Sequence, residues 1–483
     1  MPNIVSASRT WRKSFASIPW RNLRPLTLAR GLAVWRREAG RSGARGPSRS
    51  PPAEHQPRPQ YNPHNAETAA VSRQASPMSS NRRRFTQLLT GAGLGSLAAT
   101  SLPSAPAGKG SLIRKVDVFP VGIPFRSVFK IGVGTVGDTG KPGQYVMIRA
   151  ETEDGHVGWG MTNTIPAWSY ETIQAVVGTL RHHLAPLAVG RGPFEWNALK
   201  QRMDATIRPA VSNGAPFAKS ALEIAFLDLA GQVAGQPLHR LLGGKLRDSV
   251  ELCYAVSIDS PSAMADEVSR WPACKCFKVK VSGDADGDIE RLRAILLARP
   301  DIDVWLDANQ SYQPVHLERF LAALSEFDQV RCFEQPVRSE DWMGLRRARE
   351  RSPFPVAIDE GCFSSFDVAR AAEMRVADLV VLKVSKSGGV TNCAKSAVVS
   401  EAHGLGLLGS GLTDAGVSLM ASVHLYSTLD LLLPPELNGP QFLADLFAEN
   451  IEMDGVHVKV PEDPGLGIRV PEERVRESLL EIG

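Results

Sequence analysis

Cysteine is scarce, and six thiols in 483 residues, at 253, 274, 276, 332, 362 and 393, cannot make the dense disulfide framework of a small secreted scaffold. Cys274 and Cys276 alternate within one apolar run with no second pair at zinc-ligand spacing, so buried thiols are expected in place of a metal centre. A dinucleotide fingerprint is missing as well. GVGTVG at 132–137 has the glycine spacing but no helical pattern behind it, which argues against a nucleotide site there. His403 and His424 fit a helix end and a packing position rather than a ligand set. Positive charge is short where folded structure is expected. Residues 1–84 hold fifteen Arg and one Lys against three Glu, a local net of +13 that leaves −9 for the rest of a chain whose formal total is +4. A globular part of that sign is a poor partner for nucleic acid, and none is expected.

Two unlike segments lead the chain. Residues 1–77, rich in Pro, Ser, Ala, Arg and Gln, show no periodicity and read as disordered, or as an extension upstream of the true start. Residues 78–107 have a basic head at Arg82, Arg83 and Arg84, a weakly apolar stretch broken by Gly and Thr, and a small-residue exit at Ala105-Pro106-Ala107. This segment resembles a twin-arginine export signal, which implies a periplasmic protein, with a cytoplasmic one as the alternative. Its apolar part is too short and too glycine-rich to cross a bilayer, so no stable membrane insertion is expected.

Folded structure is expected from near Ser111, and 43% hydrophobic content suits a globular enzyme of two domains. Strand-like alternation in LIRKVDVFPVGIPF and YVMIRAETEDGHVGWG, followed by helical patterns from Ser169 to Gly243, predicts an α+β domain over 111–245. The glycine-rich stretch 125–143 between the strands reads as a mobile loop. Over 246–445, short apolar runs recur about every 25 residues, a period that suits strand, loop, helix and return. Strands are expected at 251–258 and near 276–281, 303–307, 330–334, 355–358, 378–383 and 405–410, with a weaker one near Glu436–Asn438. So many units in about 200 residues favour a closed (β/α) barrel over an open sheet. Residues 446–483 return to short extended pieces that would pack back on the first domain.

In a parallel barrel the C-terminal ends of the strands share one mouth. Lys280, Asp307, Glu334, Asp359 and Lys383 stand at successive strand ends, at intervals of 27, 27, 25 and 24 residues. Ionisable groups buried unpaired there would each cost several kcal/mol, on the order of 3 or more, so packing does not explain them. Three carboxylates from separate strands suit a hard ion, Mg²⁺ or Mn²⁺ in its place, with Asn309 supporting a ligand from two residues past Asp307. The lysines bracket the carboxylates, and Lys278 shares a strand face with Lys280, where a neighbouring cation lowers a lysine's pKa towards that of a base. The chemistry this predicts is α-proton removal from a small carboxylate substrate whose enediolate the ion stabilises.

The motifs together resemble the enolase superfamily, in the mandelate racemase and muconate lactonizing enzyme family, over roughly residues 111–475. They are the K-x-K of Lys278-Val279-Lys280, the triad Asp307, Glu334 and Asp359, LKVSKSGG at 382–389, AKSALEIAFLDLAGQVAGQPLHRLLGG at 218–244 and PGLGI at 464–468. The resemblance implies an α+β cap built from both chain ends over a (β/α)7β modified TIM barrel. It implies one Mg²⁺ on the triad and Lys280 and Lys383 as acid and base on opposite faces of the substrate. Cycloisomerisation of the muconate type is the first expectation, followed by racemisation or epimerisation of an N-substituted amino acid or dipeptide, then dehydration. A homo-oligomer, dimer or octamer, is also implied. Asp414 in GSGLTDAG stands where the subgroup has a glutamate, and Phe129 and Trp168 in the cap either meet an apolar part of the substrate or pack within the cap.

Overall fold

The computed structural model describes residues 111–210 and 212–482, so the expected disorder of 1–77 and export signal of 78–107 lie outside the described residues. Five strands come first: β1 (Ile113–Ile123), β2 (Phe129–Ile131), β3 (Gly134–Gly137), β4 (Gly143–Thr152) and β5 (Val157–Thr164). β1, β4 and β5 form an antiparallel sheet in that order. The stretch expected to be a loop contains the β2–β3 hairpin, because Phe129 and Ile131 alternate inward as buried residues and give it an apolar face. Helix Pro216–Ala234 lies against β5 so closely that a Cβ on Gly160 would meet Ala221 O at 1.8 Å and one on Gly158 would meet Ala225 O at 2.4 Å. The G-W-G spacing therefore serves helix packing, glycine being the residue that admits backbone to backbone contact.

The expected strand 251–258 is two elements, divided because its first part serves another sheet. β6 (Ser249–Glu251) pairs with the C-terminal segment, and β7 (Tyr254–Val256) opens the barrel. There follow β8 (Cys276–Lys280), β9 (Asp303–Asp307), β10 (Val330–Glu334), β11 (Val356–Ile358), β12 (Leu379–Leu382) and β13 (Gly406–Gly409), parallel and in sequence order. Glu436 closes the ring, bridging Ser410 on one side and Cys253 on the other, so the eighth strand is a single bridging residue. Its amide donates to Gly409 O at 2.9 Å, and Pro435 O accepts from Cys253 N at 2.9 Å. The fold is the expected (β/α)7β barrel with an α+β cap.

The period of two along each strand sorts the barrel interior into layers. Cys253, Cys276, Trp305, Cys332, Ala357, Val381 and Leu408 make an apolar layer, and all six cysteines of the chain are buried and free. Two residues further along come Lys278, Asp307, Glu334, Asp359, Lys383 and Ser410, so the charged ring rests on that layer. The chain ends on β14 (Met453–Asp454) and β15 (His457–Lys459), which pairs with β6, and on residues 478–480, which bond back to β1. Leu480 N donates to Pro120 O and Gly122 N to Ser478 O, both at 2.9 Å.

Candidate active site

Strand register sets the first contacts. β8 and β9 pair Lys280 with Asp307, and β9 and β10 pair Asp307 with Glu334, so the three strand-end groups lie side by side. Lys280 Nζ is 2.6 Å from Asp307 Oδ2. Lys278 Nζ is 3.1 Å from the same oxygen, 2.9 Å from Glu334 and 3.7 Å from Glu436, and stands 4.4 Å from the centre of the Trp305 ring below. Across the ring, Lys383 Nζ donates to Asp359 Oδ2 at 2.6 Å. Asp307, Glu334, Asp359 and Lys278 have no exposed surface.

Electrostatics divides these groups. Burial opposes the charge on Lys278, but Asp307 and Glu334 outweigh it and hold the ammonium above its ordinary pKa. Burial opposes the Lys383 charge too, and Asp359 outweighs it. Each of these two ammonium groups lies against a carboxylate, which is why its charge is favoured in spite of burial. Burial would raise Asp307 and Asp359, yet Lys278 with Lys280, and Lys383 with Lys386, keep them well below the usual carboxylate range. Glu334 is pushed well up by burial and by Asp307, and Lys278 offsets this only in part.

Sequence reasoning passed over several members of this site. Lys386, one turn beyond Lys383, donates to Asp359 Oδ1 at 2.7 Å and to its backbone oxygen at 2.8 Å. Glu360 is buried beside Asp359, and burial together with Asp359 and Asp307 raises its carboxyl to about 7. Its Oε1 accepts from Asn309 Nδ2 at 3.0 Å. Asn309 N in turn donates to Asp307 Oδ1 at 2.9 Å, with Asn309 held at φ 42°, so Asn309 bridges Asp307 and Glu360. Glu436 accepts from Ser410 at 2.6 Å and from Asn438 Nδ2 at 2.5 Å. The Asp359-Glu360 pair and the three-residue step from Lys383 to Lys386 were signals in the sequence; the roles of Ser410 and Asn438 had none.

A cavity opens above the ring. Lys280, Lys383 and Asn309 line it from the barrel, Glu436 and Asn438 from the closing segment, and Phe129, Ile131 and Trp168 from the cap. Phe129 stacks on Phe442 at 4.3 Å, and Trp168 lies 4.3 Å from Lys383 Nζ. Asp414 is buried beside Glu436, and burial and that neighbour raise it to about 7. Lys278 and Asp414 do not line the cavity.

No three carboxylate, imidazole or thiol groups among the described residues are arranged to hold an ion as they stand, since ammonium groups lie between the carboxylates. The donor set still fits a hard cation. It is all oxygen, and Asp307, Glu334, Asp359, Glu360 and Glu436 outnumber Lys278, Lys280, Lys383 and Lys386.

A closed (β/α)7β barrel with a mouth of strand-end carboxylates and lysines under an α+β cap is the architecture of the enolase superfamily. Residues 113–243 match the family model "Mandelate racemase / muconate lactonizing enzyme, N-terminal domain", and residues 263–474 match "Enolase C-terminal domain-like". Muconate cycloisomerase 1 of Pseudomonas putida is 30% identical over 339 residues, 68% of this chain and 89% of that protein. N-succinyl-L-Arg/Lys racemase of Bacillus cereus is 28% identical over 371 residues, 76% of this chain and 97% of that protein. The crystal structure of a muconate lactonizing enzyme from Pseudomonas fluorescens complexed with muconolactone superposes with a TM-score of 0.72 at 28% identity, covering 77% of this chain and all of that one. The chain belongs to the mandelate racemase and muconate lactonizing enzyme family.

Proposed function

We infer that this chain is an isomerase that inverts the α-carbon of a carboxylate substrate, an N-acylated amino acid, by proton transfer between Lys280 and Lys383. The observation that carries this reading is the placement of the two amines. Lys280 ends β8 and Lys383 follows β12, four strands apart in a ring of eight, so they face one another across the mouth and line the same cavity. Each is tied at 2.6 Å to a different aspartate. Inversion requires a donor on one face and an acceptor on the other, which this arrangement supplies. Cycloisomerisation, the first expectation from sequence, engages one lysine in proton transfer and leaves the second without that task.

Asp307, Glu334 and Asp359 are the residues that would hold Mg²⁺, or Mn²⁺ in its place. The ion would supply positive charge to the substrate's carboxylate oxygens. Lys280 and Lys383, each bonded to one of these aspartates, are the groups that would give and take the α-proton on the two faces. Lys278, behind them, keeps charge beside Glu334. Phe129 and Trp168 close the cavity over the amines and exclude water.

The substrate class follows from two acceptors. Asn438 and Asn309 line the cavity, and the Oδ1 of each is buried without a hydrogen-bond partner among the described residues. Their amide nitrogens donate to Glu436 and Glu360, which fixes the other end of each amide as the acceptor. An amide N–H satisfies such an acceptor, and a muconate dianion has no donor to offer. A free α-ammonium calls for an unengaged carboxylate, and the oxygens of Glu436 are already bonded to Ser410 and Asn438. The N-succinyl amino acid racemase among the relatives accords with this choice. Incubation with Mg²⁺ in D₂O against N-acyl amino acids, dipeptides, muconates and hydroxy acids tests it. Deuterium at the α-carbon of both enantiomers of an N-acyl amino acid is expected; turnover of muconates alone would overturn it.

A further inference from the structure

The cap helix Pro216–Ala234 and the turn before it meet the barrel segment that follows Lys383. Lys219 and Glu223 are one turn apart on a helix whose other buried residues are almost all apolar. Lys219 Nζ donates to Asn213 O at 2.7 Å, to Ile207 O at 2.8 Å and to Asp204 at 2.7 Å, and so fixes the turn that precedes the helix. From that turn Asn213 Nδ2 donates to Ser387 O at 2.8 Å and also to Phe363 O. Ser387 closes the short helical turn Val384–Ser387, and its own amide donates back to Lys383 O at 3.1 Å. Carbonyls at the end of a turn lack partners within it, and Asn213 supplies one from the other domain.

Glu223 holds the far side. Its carboxylate accepts from Thr391 N at 3.3 Å and from the Thr391 hydroxyl, at the first residues of helix Val390–Ala402. Between the two contacts run Gly388 and Gly389, at φ 76° and 125°. A Cβ on Gly389 would meet Glu223 Oε2 at 1.9 Å, so the glycine is what lets this carboxylate approach. Segment 387–391 is thus gripped at one end by Asn213, from the turn before the cap helix, and at the other by Glu223 on the helix, and Lys383 stands one turn ahead of it. Lys280, on β8, has no comparable contact with this helix: its ammonium donates to Asp307.

We propose that Asn213 and Glu223, braced by Lys219, are positioning residues that set the reach of Lys383 relative to Lys280, so that the cap helix governs proton transfer on one face of the substrate. The link to proton transfer rests on the two-lysine reading above, whereas the control of Lys383 position does not.

The full chain is compared with its Glu223→Gln and Asn213→Ala variants. Gln keeps the volume but turns an amide N–H towards the donors of Thr391, and Asn213→Ala removes the other grip without altering the core of the helix. Reductive methylation with formaldehyde and cyanoborohydride, followed by peptide mass spectrometry, reads the reactivity of Lys383 against Lys280. Labelling at Lys383 should change severalfold in both variants while that at Lys280 stays level. In D₂O with Mg²⁺, N-succinyl-L-lysine and N-succinyl-D-lysine report the two faces. Exchange from one enantiomer should fall by about tenfold or more, as a displaced catalytic group predicts, with the other within about twofold of the parent. An unchanged Lys383 to Lys280 labelling ratio, or an equal fall for both enantiomers, overturns the proposal. Failure of the parent protein to exchange either enantiomer overturns the racemase reading instead, and the labelling ratio then decides the clamp by itself. Should Glu223→Gln not fold, Asn213→Ala yields the same two readouts.

Discussion

Lys278 Nζ lies 2.9 Å from each carboxylate oxygen of Glu334, and neither side chain has any exposed surface. An ammonium in that position neutralises its neighbours and is walled off from the cavity. Replacing it by Met leaves buried carboxylates without compensation, which costs about 3–5 kcal/mol when one partner of a buried pair is removed. Urea unfolding of the Lys278→Met variant should show that loss, and added Mg²⁺ should recover more stability in the variant than in the parent. Equal stability of the two proteins would show that the pair carries no such weight.

Lys280→Ala and Lys383→Ala should each abolish racemisation while each retains exchange from a different enantiomer. A positioned acid or base contributes roughly 10²–10⁴-fold, and the lost half-reaction should fall by that order. Following α-proton signals by NMR in D₂O separates the half-reactions. Loss of both exchanges in both variants would contradict the assignment of one lysine to each face.

Asp307→Asn, Glu334→Gln and Asp359→Asn each remove a charged oxygen ligand from the ring. Calorimetric titration with Mg²⁺ should show affinity reduced by at least about tenfold, the order seen even for weaker supporting contacts. Unchanged affinity in any one of them would remove that residue from the ligand set.

Acid stability should hinge on a buried imidazole. His424 stacks on His239 at 5.6 Å, accepts from His239 N at 3.2 Å through Nδ1, and has Nε2 at 3.3 Å from Leu466 O. Burial pushes it down from 6.5 to about 4, and His239, itself lowered by burial, adds to the effect. The unfolded chain takes up a proton near pH 6.5 that the folded chain resists. The stabilisation is therefore complete above that pH and is lost as pH falls towards 4, by about 3 kcal/mol for a shift of this size. Urea midpoints between pH 7 and 4 should decline more steeply in the parent than in His424→Gln.

The barrel was legible because five successive strands end on a charge. Lys280, Asp307 and Glu334 are strand-terminal residues, and Asp359 and Lys383 stand immediately past the ends of β11 and β12. Such a pattern survives in sequence because apolar runs and period-two alternation are local. What lay beyond it depends on tertiary contact. The 125–143 stretch has the glycines of a loop, and its β2–β3 hairpin is held by Phe129 meeting Phe442 from far along the chain. Glu436 reads as one acidic residue in an irregular segment until Ser410 and Cys253 are seen on either side of it. Glu223 and Lys219 belong to a recognisable motif, but their partners at Thr391 and Asn213 lie across two domains.

The hoop of strands is fastened at one stitch. Glu436 carries the backbone bonds that join its two ends, and the same residue's carboxylate reaches Ser410 and stands 3.7 Å from the Lys278 ammonium. Mechanical integrity and charge balance are consequently vested in one position. The bonds that close the hoop are main-chain bonds, so Glu436→Gln would change the charge beside Lys278 while leaving the seam closed.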